Sequence, residues 1–354
     1  MEQAINYGIF KLFALMPILE NMDCQMWKYF INVCYSLCVI AYIVLQQVIV
    51  YNIQLYQDFS GWFISSTVLL TSFVVLVQAL AMGNGMQQLL VELMEIDTML
   101  DVDERNHAKR HFSVTFYCMY IVGFGRILFR TILLTYLGLR PLGVALQLII
   151  PSMIVLSRIN FQIYLMDLIA SQLQTIATEL SISLQDDGGR CASDETDTIQ
   201  QLQCILQRTE YMFGRLQKCL QMVNSLFGWS TAAIVVLVFV GITFQFRISM
   251  QPMPFGAPVV EVLYSIILLF GLCRSSSQSV EMVHEIKRIL LRPFYNASLW
   301  DQINNFIVRT KLEPFVFTAN GLYSINYGLF GSTLAASATY IVIMLQFEQK
   351  TTDD

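Results

Sequence analysis

Thr339-Tyr340-Ile341-Val342-Ile343-Met344-Leu345-Gln346-Phe347 closes the last apolar segment of the chain, which runs from Phe315 and is long enough to cross a bilayer. Two polar side chains, Tyr340 and Gln346, flank a run of five apolar residues at membrane depth. Polar groups at that depth need a partner or a pore, because lipid offers no hydrogen bonds. The fold class follows from reading the rest of the chain in the same way.

With 55% hydrophobic residues, 13% charged residues and a mean hydropathy of +0.56 over 354 residues, the composition excludes an ordinary soluble domain. Windows of about 19 residues give seven candidate spans at 30–51, 61–82, 112–136, 142–167, 223–246, 258–273 and 315–347. The expected fold is therefore an all-α membrane protein with seven transmembrane helices. An odd number of spans puts the termini on opposite sides. Fifteen Lys and Arg fall in the segments that a cytoplasmic N-terminus would place inside, against Arg140, Arg247 and Lys350 outside, with Arg126, Arg130 and Arg158 in spans. Positive residues near span ends stay in the cytoplasm, so an inside N-terminus and an extracellular C-terminus are expected.

Residues 1–20 are apolar but interrupted by Lys11 and Pro17, as suits an interfacial segment, and residues 1–29 lack the pattern of a removable signal peptide. The connections expected outside, 52–60, 137–141 and 247–257, are short. Those expected inside are long and helical in pattern. Leu89, Leu93, Ile96 and Leu100 recur at helical spacing, as do Leu202, Ile205, Leu206, Leu216 and Leu220. Such faces need a partner: the chain's own inner helices, or an inter-subunit bundle. Residues 186–195 read as a flexible connector without the ending of a phosphate loop. Pro293 splits the stretch 275–311 into two short helices.

No cysteine falls in an expected outer loop, and no Cys/His spacing suits a metal. The three histidines lie in or beside expected cytoplasmic segments, and no nucleophile, carboxylate pair or Gly-rich nucleotide motif accompanies them. No enzyme activity, cofactor, metal or nucleic-acid partner is expected.

In the last span, Ser332, Ala336, Thr339, Ile343 and Gln346 follow spacings of 4, 3, 4 and 3, which places them on one helical stripe. Two readings stay open: four copies lining a pore with an amide constriction and an apolar ring, or helix packing eased by Gly331, Ala335 and Ala336. The expected outer halves of the middle spans offer Trp62, Phe63, Arg126, Arg130, Tyr136, Gln147, Ser152, Phe244, Gln245, Glu261 and Tyr264 as a candidate pocket for a small, partly apolar ligand. Arg126 and Arg130 are four apart on one face, and Glu261 stands at comparable depth to pair with Arg130.

Thr339-Tyr340, five apolar residues and Gln346-Phe347, preceded by Phe317-Thr318-Ala319-Asn320-Gly321-Leu322 and by Trp300, resemble the C-terminal signature of insect gustatory receptors. The resemblance implies the insect chemoreceptor ion-channel fold: a homo- or hetero-tetrameric, ligand-gated, nonselective cation channel of the plasma membrane, opened by a small tastant. It assigns residues 30–273 to a six-helix bundle with the ligand pocket, 275–311 to cytoplasmic anchor helices and 315–347 to the pore helix, with Tyr340 and Gln346 as motif positions. Sugar-type members often carry Glu after the motif Tyr, where this chain has Ile341, so a bitter or other non-sugar tastant is the expectation. The rivals are a seven-helix G-protein-coupled receptor, which needs an outside N-terminus, and a secondary transporter, for which no inverted repeat is visible. The sequon at Asn296 falls inside in the first topology and outside in the G-protein-coupled one.

Overall fold

The computed structural model describes residues 25–52, 59–100, 119–129, 131–132, 136, 149–186, 195–249, 256–291 and 297–353. The helices are α1 (Gln25–Asn52), α2 (Phe59–Ala81), α3 (Gly83–Met99), α4 (Met119–Phe129), α5 (Ile149–Asp186), α6 (Glu195–Ser249), α7 (Gly256–Leu290), α8 (Ala297–Leu312) and α9 (Tyr327–Asp353). Residues 1–20, the centre of the 186–195 connector, most of the expected outer connections, Arg130, Gln147 and Asn296 lie outside the described residues.

Five helices among the described residues are long and apolar enough to cross a membrane, namely α2, α5, α6, α7 and α9, and α1 and α4 hold shorter apolar stretches at Val33–Val48 and Met119–Phe129. α6 is the hub: it touches α2, α3, α5, α7, α8 and α9, while α5 packs along α7 and α1 packs on α2. Some hydroxyls within the spans are satisfied by their own helix: Thr67 donates to Phe63 O at 2.8 Å and Thr243 to Phe239 O at 2.8 Å. At 1.5 Å per residue, the 55 residues of α6 and the 38 of α5 run about 80 and 57 Å, well beyond a hydrocarbon core of about 30 Å.

The expected spans at 223–246 and 258–273 are thus parts of longer helices. α7 is one helix of 35 residues, so the apolar span at 258–273 continues unbroken into what the sequence suggested as a short separate helix. The periodic apolar residues of α3 are buried on the chain's own helices: Leu89, Leu93 and Ile96 meet the core that Leu206, Leu216 and Leu220 of α6 supply. Arg215 of α6 donates to Glu92 through Nε (3.0 Å) and to Glu95 (2.6 Å), and Lys218 adds a contact to Glu92 at 3.1 Å. The hydrogen bond from Arg215, reinforced by Lys218, holds the Glu92 carboxyl below its ordinary range.

The largest departure from the sequence reading is the start of the last helix. α9 begins at Tyr327, not at Phe315. Phe317-Thr318-Ala319-Asn320-Gly321-Leu322 forms a tight reversal: Thr318 bridges Ser324, Ala319 N donates to Tyr323 O at 3.0 Å, and Ile325 N to Phe317 O at 2.9 Å. Asn320 (φ 51°) and Gly321 (φ 76°) occupy the left-handed region, where a right-handed helix cannot pass. Phe315, Phe317, Ala319 and Ile325 are buried, with Phe315 against Phe213 at 5.9 Å between ring centroids, and Phe213 meets Phe306 of α8 edge-on at 5.3 Å. This connector is a packed element of the core.

Candidate functional site

A cavity of about 80 Å³ opens between α2, α4, α5, α6 and α7. Five residues suggested by the sequence line it: Arg126, Ser152, Gln245, Glu261 and Tyr264. The rest of its wall is mostly aliphatic, including Ile64, Val68, Leu156, Ile234, Leu237 and Val238. Sequence reasoning passed these over because an aliphatic residue in a span carries no signal of which residues meet around a void.

Arg126 is ion-paired with Glu261, and its guanidinium stands 4.1 Å from the centre of the Tyr264 ring. Arg130, the expected partner of Glu261, lies outside the described residues. The pair is nearly buried, so each charge depends on the other and on the ring face. Gly123 allows α4 to come this close, since a Cβ there would stand 2.6 Å from Leu156 and 3.0 Å from the Tyr264 hydroxyl. Phe63 and Phe244 pack on each other at 5.0 Å, next in sequence to cavity-lining Ile64 and Gln245, and Trp62 is half-buried against the core. Tyr136 is 86% exposed and does not line the cavity.

The second feature is the outward face of α9. Thr333 and Ser337 face inward and are buried, whereas Ser332, Thr339, Ile343 and Gln346 are exposed and Ala336 is half-buried. Ser332 and Thr339 return their hydroxyls to Leu329 O and Ala335 O at 3.0 Å each. Tyr340 sets its ring edge-on to Phe239 of α6 at 5.5 Å. Four of the five residues of the stripe read from the sequence are exposed, and no ionisable residue other than Tyr327 and Tyr340 occurs between Tyr327 and Phe347.

A model of the 7tm chemosensory receptors matches residues 4–351. The chain belongs to that family. Among curated relatives of this chemosensory receptor, gustatory receptor 23a of Drosophila melanogaster is 25% identical over 138 residues, and gustatory and odorant receptor 24 of Anopheles gambiae is 29% identical over 99 residues. These stretches cover 35% and 27% of this chain, and 36% and 22% of the relatives' own length. Across nearly the whole chain, the fold matches the insect olfactory receptor OR5 of Machilis hrabei. The structure of OR5 with eugenol superposes with a TM-score of 0.75 at 15% identity, covering 98% of this chain and 97% of that one. A second OR5 structure gives 0.71 at 15% identity, covering 98% and 99%. The receptor is a multi-pass membrane protein with the insect chemoreceptor fold.

Proposed function

We propose that this receptor is a ligand-gated, nonselective cation channel of the plasma membrane, assembled as a homo- or hetero-tetramer and opened by a small non-sugar tastant. The observation that carries this reading is the exposed face of α9. An apolar helix with Ser332, Thr339, Ile343 and Gln346 on one uncovered stripe needs partners outside the chain, and four copies around an axis would give each stripe a water-facing side. Gln346 then forms the amide constriction and Ile343 the neighbouring apolar ring. The topology proposed with it has seven spans, a cytoplasmic N-terminus and an extracellular C-terminus, as the distribution of Lys and Arg supports.

The tastant is assigned to the cavity beside Arg126, Glu261 and Tyr264. Its aliphatic wall with one ion pair, Ser152 and Gln245 suits a small, partly apolar molecule. OR5 was solved with eugenol, an aromatic molecule, in the same fold. Ile341 after the motif tyrosine also speaks against a sugar.

The test is whole-cell current in cells expressing this chain without any added G-protein pathway, while bitter compounds and simple sugars are applied. A ligand-evoked cation current, altered in reversal or block by Gln346→Ala, is the expected result. A response that survives only with a G-protein pathway, or a current indifferent to Gln346→Ala, would sink the pore assignment. Glu261→Gln is expected to shift the effective ligand concentration about tenfold or more with surface delivery retained. Loss of all folded protein would make the ion pair purely structural.

A further inference from the structure

Below the cavity, several backbone groups in one short stretch of α6 are bonded to side chains, three of them to side chains of other helices. The carbonyls of Ser225, Leu226 and Phe227 all accept side-chain hydrogen bonds: Gln78 of α2 donates to Ser225 O at 3.1 Å, Arg158 of α5 donates to Leu226 O, and Ser230 donates to Phe227 O at 2.8 Å. The main-chain amide of Ser230 donates to Gln78 Oε1 at 2.7 Å. A regular α-helix pairs that amide with Leu226 O, so both ends of this rung have partners on other helices. α6 runs through this stretch as one continuous helix, and side chains that compete for ladder groups are a recognised cause of bends in long helices.

Arg158 makes the stretch more unusual. It is 1% exposed, its guanidinium lies 3.9 Å from the Phe227 ring centre, Nε reaches Ser230 Oγ at 3.3 Å, and Nη1 has no hydrogen-bond partner. Among the described residues no carboxylate is ion-paired with it. A buried arginine held only by a carbonyl, a hydroxyl and a ring face is costly at membrane depth, and its free Nη1 donor can take another acceptor when the helix shifts.

The two halves of α6 that meet here differ in what they hold, although the cavity-lining half also meets α9 where Phe239 packs on Tyr340. Ile234, Leu237, Val238, Gly241 and Gln245, beginning one turn beyond, line the cavity. In the other direction, Asn224 clamps the connector, donating to Val316 O (3.0 Å) and accepting from Thr318 N (2.9 Å). Gly228 touches Asn320 so closely that a Cβ would stand 2.6 Å from its backbone nitrogen.

We infer that α6 carries a built-in joint between Leu226 and Ser230, latched by Gln78 and Arg158, at which its cavity-lining half turns against the half that grips the connector into α9. The joint lies between the cavity-lining turns of α6 and Asn224, which reaches the connector into α9 through hydrogen bonds. Its existence does not require that α9 line a pore.

Hydrogen–deuterium exchange on the full chain in lipid nanodiscs tests this directly. In the wild type, peptides covering 224–232 are expected to exchange about tenfold faster than those covering 212–222 and 234–246, a difference equivalent to about 1.4 kcal/mol. Gln78→Leu should speed 224–232 by about a further tenfold while the flanks stay unchanged, and Ser230→Ala should do so to a smaller degree. Wild-type rates for 224–232 no faster than the flanks would overturn the joint. So would uniform acceleration along α6 in the variants, which would make Gln78 and Ser230 ordinary packing. If Gln78→Leu does not fold, the wild-type profile and Ser230→Ala decide the matter.

Discussion

α5 and α9 are both apolar helices of membrane-spanning length, yet 72% of the apolar window of α5 is buried within the chain and only 11% of that of α9. α5 is the less apolar of the two. Hydropathy therefore did not decide which helix went inside. α5 lies among α2, α6 and α7 and carries Arg158, Asn160 and Gln162 into the interior, where neighbouring helices supply partners such as Thr231 for Gln162 at 2.8 Å. α9 sets Thr333, Ser337 and the apolar Leu329, Phe330 and Leu334 against α6 and α7 and leaves most of the rest uncovered. One helix completes its packing within the chain; the other has most of its surface available to lipid or to further copies.

This contrast can be broken most sharply by truncation. Phe161→Ala in α5 removes a buried ring that packs on Phe227 at 6.0 Å and is expected to cost about 3–5 kcal/mol, read as a fall in thermal unfolding midpoint of the purified chain. Val342→Ala in α9, at a residue 52% exposed, should stay within about 0.5 kcal/mol in dispersed single chains. Equal losses at both sites would mean that α9 is as dependent on its own chain as α5.

A smaller effect separates the connector from the helix it precedes. Gly228→Ala forces a methyl group against the Asn320 backbone and should cost about 1–3 kcal/mol, whereas Gly331→Ala, which meets open space on α9, should be neutral or slightly stabilising. Limited proteolysis near Asn320 is the added readout: it should rise for Gly228→Ala alone.

The smallest expected effect lies at the α3 clamp, the only part of the comparison that titrates outside the membrane. Because Arg215 and Lys218 hold the folded Glu92 carboxyl below its unfolded value, the contribution of the clamp is present above the ordinary carboxylate range and is lost as pH falls through the depressed value. Glu92→Gln should lower stability by less than about 1 kcal/mol at pH 7. The gap between variant and wild type should close as pH falls below 4, in matched thermal unfolding series.

Much of the site was legible in part. Arg126, Glu261 and Tyr264 stood out as polar or amphipathic groups at membrane depth, but the pairing of Arg126 with Glu261 depended on how α4 faces α7. That facing turns on Gly123, whose missing side chain lets Leu156 and Tyr264 approach. Asn320-Gly321 carried a turn signal that the surrounding apolar run obscured. Arg158 could have been found as a lone intramembrane charge; its lack of a carboxylate partner could not.

By itself the sequence determined that this protein is a bundle of apolar helices with a chemoreceptor signature at its end, because hydropathy and helical spacing are local properties of the chain. The amphipathic faces of α3 and α6 were equally readable, since each repeats every three or four residues. Only the tertiary structure decided where those faces point, that the last helix begins at Tyr327, that six polar residues from four helices meet around one cavity, and that Gln78 and Arg158 converge on a single turn of α6. These depend on contacts between residues up to 152 positions apart, and such contacts are set by how the helices pack rather than by any local pattern.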